Sequence, residues 1–143
     1  MKTAAQLIQE KSNKEIISIA PDRPVIDALI ILAEYKIGAL IVMKNEKMIG
    51  IISERDYARE VILKGKSSKI AKIEEIMTNN VISGLAEDTF EKCMEIMIKN
   101  QIRHLPIMKN NNLIGMLSLG DVASEMIKFQ KNIIKELESY IKN

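Results

Sequence analysis

The chain has 143 residues, 47% hydrophobic and 28% charged, which is enough apolar material for a core and excludes a disordered tail. A formal net charge of +2, with no dense Lys/Arg run, argues against a nucleic-acid partner. The single cysteine, Cys93, excludes an intrachain disulfide, and its neighbours Phe90, Met94 and Met97 suit a small buried hydrophobe better than a reactive thiol. MKTAAQLIQEK at the N-terminus lacks the apolar stretch of a signal peptide. Apolar runs such as 28–33 fall far short of the ~20 residues that span a bilayer. The expectation is a cytoplasmic protein without membrane contact.

In chain order, a helical segment over 1–14 comes first. A short β segment is expected at 15–19, a turn at Pro21 and Asp22, and a helix over 25–35. Two strands follow, GALIVM at 38–43 and KMIGIIS at 47–53, joined by a tight polar turn at Lys44, Asn45 and Glu46. A second helix starts after Ser53, and a polar linker with Gly65, Ser67 and Ser68 covers 64–72. IEEIM at 73–77 predicts a short helix. The pattern then recurs, with a β segment at 80–83, a turn at 86–88 and a helix over 89–100 for which Asp88 and Thr89 are candidate caps. Strands HLPIM at 104–108 and NLIGMLS at 112–118 meet through Asn110 and Asn111. Their near-continuous apolar character suits sheets buried on both faces. The last helix is longer than its counterpart. Met126, Phe129, Ile133, Leu137, Tyr140 and Ile141 form a stripe on it that suits either packing on its own lobe or a dimer seam.

This recurrence is an internal repeat. Sliding the sequence by 65 positions gives 15 identities in the 46 pairs from position 17 to 62, where composition alone would give roughly three or four. Met43-Lys44-Asn45 falls on Met108-Lys109-Asn110, and Ile49-Gly50 on Ile114-Gly115. Ser53, Asp56, Ala58 and Glu60 fall on Ser118, Asp121, Ala123 and Glu125. The fold class expected is α/β, two pseudo-symmetric β-α-β-β-α motifs with a flanking N-terminal helix and a long C-terminal helix. The segments are 1–14, a first motif over 15–69, a second over 70–130 and a helical extension over 131–143.

The corners GIISERD and GMLSLGD carry the chemistry. A serine that ends a strand and opens a helix, with an acid three residues on, is a capping box; its loss costs ~1 kcal/mol. The same geometry suits a nucleotide. A helix N-terminus favours phosphate, and a carboxylate held there can accept hydrogen bonds from two vicinal hydroxyls. Duplication preserves a cap as readily as a site, so repetition does not choose between these readings. In IRHLPI at 102–107, Arg103 and the only histidine, His104, enter a buried strand and suit an anion. No spacing supports a metal site or a catalytic triad, and the six glycines form neither G-x-G-x-x-G nor a Walker A loop. No catalytic or metal-binding residue is expected.

The twofold β-α-β-β-α repeat, the two corners and IRHLPI resemble a stand-alone pair of cystathionine-β-synthase (CBS) domains. The resemblance covers the chain less its N-terminal helix and C-terminal tail. It implies two motifs packed sheet to sheet, with two clefts that take adenosine-containing ligands. AMP is the leading ligand, with ADP, ATP, NAD(H) and S-adenosylmethionine as others, and no cofactor is required. Asp56 and Asp121 would take the ribose hydroxyls, assisted by Ser53 and Ser118, with Arg55 beside the first corner. Backbone at Gly38, Ala39 and Leu40, and at His104 and Leu105, would meet the adenine edge. Ile16 and Ile17, and Val81 and Ile82, would flank the base, and Arg103 with His104 would lie near phosphates. Because Arg55 corresponds to Gly120, and Gly38-Ala39 to Arg103-His104, the two clefts are expected to be unequal.

The function implied is energy sensing by a non-enzymatic regulatory module. It would change conformation or homodimer geometry on binding nucleotide, and a partner protein would read the change. The alternative is an interaction module whose corners are caps alone.

Overall fold

The computed structural model describes residues 1–11 and 15–142. The expected N-terminal segment therefore has its last three residues, and the C-terminal extension its final one, outside the described residues. By internal contacts the chain divides into two units, Glu15–Val81, and Met1–Lys14 with Ile82–Asn143. The repeat alone divides the chain differently, leaving 1–14 as a segment of its own and assigning 70–81 to the second motif.

In the Glu15–Val81 unit, β1 (Ser18–Ile19) runs parallel to β2 (Ala39–Lys44), and β2 pairs antiparallel with β3 (Lys47–Ser53). The other unit has the same three-stranded sheet, with β4 (Gly84–Leu85), β5 (His104–Lys109) and β6 (Asn112–Ser118). Both hairpins turn on two residues with positive φ, Asn45 (52°) with Glu46 (64°) and Asn110 (51°) with Asn111 (64°). Two left-handed residues match the right-handed twist of the strands they join, and asparagine tolerates that conformation. The register is conserved with the repeat: Ala39 opposes Ser53, His104 opposes Ser118, and both sheets slip register at the same point.

The first short strand of the second motif is Gly84–Leu85, not 80–83. Pairing decides this, since Gly84 lies opposite Ile107, where a Cβ would meet Leu105 Cδ2 at 3.0 Å and Ile107 Cδ1 at 3.1 Å. Helices α2 (Val25–Tyr35) and α5 (Phe90–Asn100) bury one face each on these sheets. Thr89 alone caps α5, accepting the Lys92 N–H at 3.1 Å; Asp88 instead accepts the Leu85 N–H at 2.8 Å and closes the preceding turn. Cys93 is a core residue of α5, and burial pushes its thiol up to about 11.

The helices that precede the motifs are exchanged between units. Helix α1 (Ala4–Glu10) buries Leu7 and Ile8 in the core built by β4–β6 and α5. Helix α4 (Ile73–Ile76) buries Ile73 and Ile76 in the core of β1–β3 and α2. Their backbone bonds match one for one. Ala4 N–H reaches Asp88 O at 2.7 Å as Ile73 N–H reaches Arg23 O at 2.9 Å, and Phe90 N–H reaches Lys2 O at 3.0 Å as Val25 N–H reaches Ala71 O at 2.8 Å. Both helices are too short to stand alone in water, so burial of their apolar side chains, worth ~1.5–3 kcal/mol each, is what holds them. Gly50 and Gly115 make room. A Cβ on Gly50 would meet Met77 Sδ at 2.5 Å, and one on Gly115 would meet Ile8 Cδ1 and Cγ2 at 2.9 Å.

After Ser53 the chain forms α3 (Glu54–Tyr57) and a π turn over Ala58–Ile62. After Ser118 it forms α6 (Leu119–Lys142), which divides the apolar stripe. Met126 and Phe129 pack on their own unit, with Phe129 edge-on to Phe90 at 5.6 Å between ring centroids. Ile133, Leu137, Tyr140 and Ile141 are exposed, Tyr140 and Ile141 at 84% and 85%.

Gly115→Ala should cost about 1–3 kcal/mol by overpacking against Ile8. Ile8→Ala should cost less in that background than in the parent chain, because one truncation relieves the other. Urea denaturation of the two single variants and the double variant measures the coupling.

Candidate functional site

Each corner begins where a strand residue in extended conformation hands over to a helix. Ser53 has φ −124° and ψ 167°, and its hydroxyl oxygen accepts the Asp56 N–H at 3.2 Å. Asp56 Oδ2 accepts the Ser53 N–H at 2.8 Å and the Ser53 hydroxyl at 3.1 Å. In the second unit the Ser118 oxygen accepts the Asp121 N–H at 3.1 Å, and Asp121 Oδ2 accepts the Ser118 N–H at 2.8 Å. The reciprocal capping box read from the sequence is present at both corners.

The start of the neighbouring strand is tied to each corner. Glu54 N–H bonds to Gly38 O at 3.1 Å, and Leu119 N–H to Arg103 O at 2.8 Å. Gly38 and Ala39 thus lie beside Ser53 and Asp56, and Arg103 and His104 beside Ser118 and Asp121, each set within one unit. Leu40 and Leu105 are fully buried, so their side chains serve the cores and only their backbone is left for a ligand. Arg55 and Arg103 are exposed and His104 half-buried. Ile17 packs on its core and Ile16 is partly exposed. Val81 and Ile82 fall in different units, Val81 with the first corner and Ile82 with the second.

Two residues absent from the sequence reading complete the corners. Thr78 exchanges backbone bonds with Ile51, and its hydroxyl reaches Asp56 Oδ1 at 3.4 Å. Lys11 Nζ donates to Met116 O at 2.9 Å and to Asp121 Oδ2 at 3.0 Å. Neither lies in the 65-residue repeat. Lys2, Ala4 and Ala5 occupy the places of Ala71, Ile73 and Glu74, an offset of 69, and TAAQLIQEK shares no identity with KIEEIMTNN at that offset. Only pairing in the fold reveals the match.

Burial opposes the charge on Asp121. The Ser118 N–H and the Lys11 ammonium outweigh it, holding the carboxyl below its ordinary range. Among the described residues no group of three or more His, Cys, Asp or Glu side chains could hold a metal ion. No helix among them is long and apolar enough to cross a membrane.

The CBS domain family model matches twice, over residues 6–63 and 73–128. The chain belongs to the CBS-domain family. It is 38% identical over 125 residues to the mitochondrial CBS domain-containing protein CBSX3 of Arabidopsis thaliana, covering 84% of this chain and 61% of that relative. The chain thus spans about three-fifths of that relative's length. A solved protein with CBS domains from Burkholderia ambifaria superposes with a TM-score of 0.85 at 38% identity, covering 89% of this chain and 95% of the other. The CBS domain pair of protein MJ0100, solved with 5′-methylthioadenosine and S-adenosyl-L-methionine, shares the fold at 23% identity, with a TM-score of 0.77 and coverage of 88% and 96%.

The folded carboxyl of Asp121 lies below the ~3.9 of an unfolded chain. Its ionised form therefore stabilises the fold above that pH, and the contribution is lost as pH falls through the folded value. Asp121→Asn should lose stability at pH 7 and progressively less as pH is lowered, flattening the acid side of a urea-denaturation profile. Ser118→Ala, a cap deletion, should cost ~1 kcal/mol at pH 7.

Proposed function

We propose that this protein is a regulatory module that binds an adenosine-containing ligand at its Ser–Asp corners, with AMP as the leading candidate. The observation that carries this reading is the paired corner geometry. A carboxylate is anchored through one oxygen by the serine backbone, beside the backbone at the start of a neighbouring strand. Such a carboxylate can accept the vicinal hydroxyls of a ribose, and Ser53 and Ser118 assist. Gly38 to Leu40 in one unit, and His104 and Leu105 in the other, offer backbone to the adenine edge. Ile16, Ile17, Val81 and Ile82 offer apolar surface to the base, and Arg55, Arg103 and His104 offer charge to phosphates. Family membership supports the reading, as does the adenosine chemistry of the ligands held by the MJ0100 pair.

The ligand acts as a regulator and not as a substrate, and needs no metal or cofactor. Binding favours one conformation or homodimer geometry over another by its difference in affinity, and a partner protein reads the outcome in the cytoplasm. The exposed apolar half of α6 is the surface we assign to the homodimer. A second reading draws on that same surface and on the caps: an interaction module in which the corners only start helices.

Thermal unfolding with millimolar AMP, ADP, ATP, NADH and S-adenosylmethionine separates the two. A ligand at a hundred times its Kd adds ~2.7 kcal/mol, a visible rise in midpoint. Asp56→Ala and Asp121→Ala should reduce that rise by unequal amounts. If no ligand shifts the midpoint and both variants are merely less stable, the interaction module is the correct reading.

A further inference from the structure

The two corners end in different chemistry. Helices α1 and α4 occupy equivalent places; Lys11 directly follows α1 and Thr78 lies two residues past α4, so the two are not aligned at the 69-residue offset but reach matching acceptors. Each residue serves the same two acceptors, a carbonyl two residues before the corner serine and the corner carboxylate. In the Glu15–Val81 unit these are Ile51 O, which takes the Thr78 N–H at 2.9 Å, and Asp56 Oδ1, reached by the Thr78 hydroxyl at 3.4 Å. In the other unit they are Met116 O and Asp121 Oδ2, and Lys11 Nζ takes both, at 2.9 and 3.0 Å. A neutral strap closes one corner and an ammonium closes the other.

The consequence is a difference of one unit charge between the two closing residues, while one arginine stands beside each corner, Arg55 at the first and Arg103 at the second. Asp121 and Lys11 together are neutral, whereas Asp56 takes its hydrogen bonds from Ser53 and the neutral Thr78. The Lys11–Asp121 pair is about one-third exposed at each partner, 33% and 31%, so water weakens its field without abolishing it. The serine N–H and the ammonium share Oδ2 of Asp121, which leaves Oδ1 to a ligand hydroxyl. An ammonium has three hydrogens, and two are engaged here. The third can donate to a phosphate oxygen. Arg103 adds a second cation on the residue whose carbonyl accepts the first N–H of α6.

We infer that Lys11 sets the charge of the ligand accepted at the Asp121 corner, favouring there the phosphorylated form of an adenosine ligand. This rests on the reading of the corners as ribose sites. It assigns a specificity-determining role to a residue outside both copies of the repeat.

The test is calorimetric titration with AMP and with adenosine, on the full chain carrying Asp56→Ala so that the Asp121 corner is read alone. Lys11→Met should weaken AMP binding about tenfold and leave adenosine within about twofold, the pattern of one lost charge interaction. Lys11→Arg should keep the preference for AMP. Equal losses for AMP and adenosine would make Lys11 a structural tether for Asp121 and overturn the inference, as would no change in either. Binding by the parent chain that disappears in the Asp56→Ala background would overturn it too, while leaving the Asp56 corner as a site. Failure of the parent chain to bind either ligand would remove the ribose reading itself.

Discussion

In both units a carboxylate oxygen accepts the N–H of a serine three residues earlier, and the serine oxygen accepts the N–H of the aspartate in return. These two bonds satisfy donors that a helix start would otherwise leave open, and they turn the chain from strand to helix within one residue. They also anchor one carboxylate oxygen. A flexible aspartate would lose rotamer freedom on binding a diol, whereas one held in place has already lost it. The capping and binding readings of the corner are therefore compatible, because the cap pre-organises the group that would bind.

A second dependence runs through the short helices. Helices α1 and α4 are too short to persist alone, and each is held by apolar side chains lowered onto a strand where glycine leaves space. Once seated, each leads the chain past a corner, bringing Lys11, directly after α1, to Asp121 and Thr78, two residues after α4, to Asp56. The closing residue thus comes from segments free to diverge. Duplication kept the Ser–Asp box in both copies, while the straps took on different charge.

The long C-terminal helix joins this arrangement to the outside. Its first turns belong to the second corner, starting at Leu119 and carrying Asp121, and its middle packs Met126 and Phe129 on the core. Its last turns present Ile133, Leu137, Tyr140 and Ile141 to solvent. One continuous helix therefore runs from the Ser118–Asp121 corner to an apolar surface. A change at the corner that altered the helix direction would be felt at that surface, which is the physical requirement for a ligand to be read by a partner.

Much of this was legible in the sequence because its determinants are local. The 65-residue repeat, the hairpins with their Asn turns, the helix over Val25–Tyr35 and both Ser–Asp boxes depend on residues within a few positions of one another, where spacing translates directly into geometry. The family could be named for the same reason. The first short strand of the second motif lies at Gly84–Leu85 and not at 80–83; a two-residue strand has no periodicity to read, and Gly84 is recognised only by the side chains opposite it. Lys11 and Thr78 were invisible for a stronger reason. Lys11 meets Asp121 across 110 positions and Thr78 meets Asp56 across 22, through helices that share no identity and are offset by 69 and not 65. The sequence alone determined that two corners exist and what each offers; which residue closes each, and with what charge, was decided only when tertiary packing exchanged the short helices between the two units.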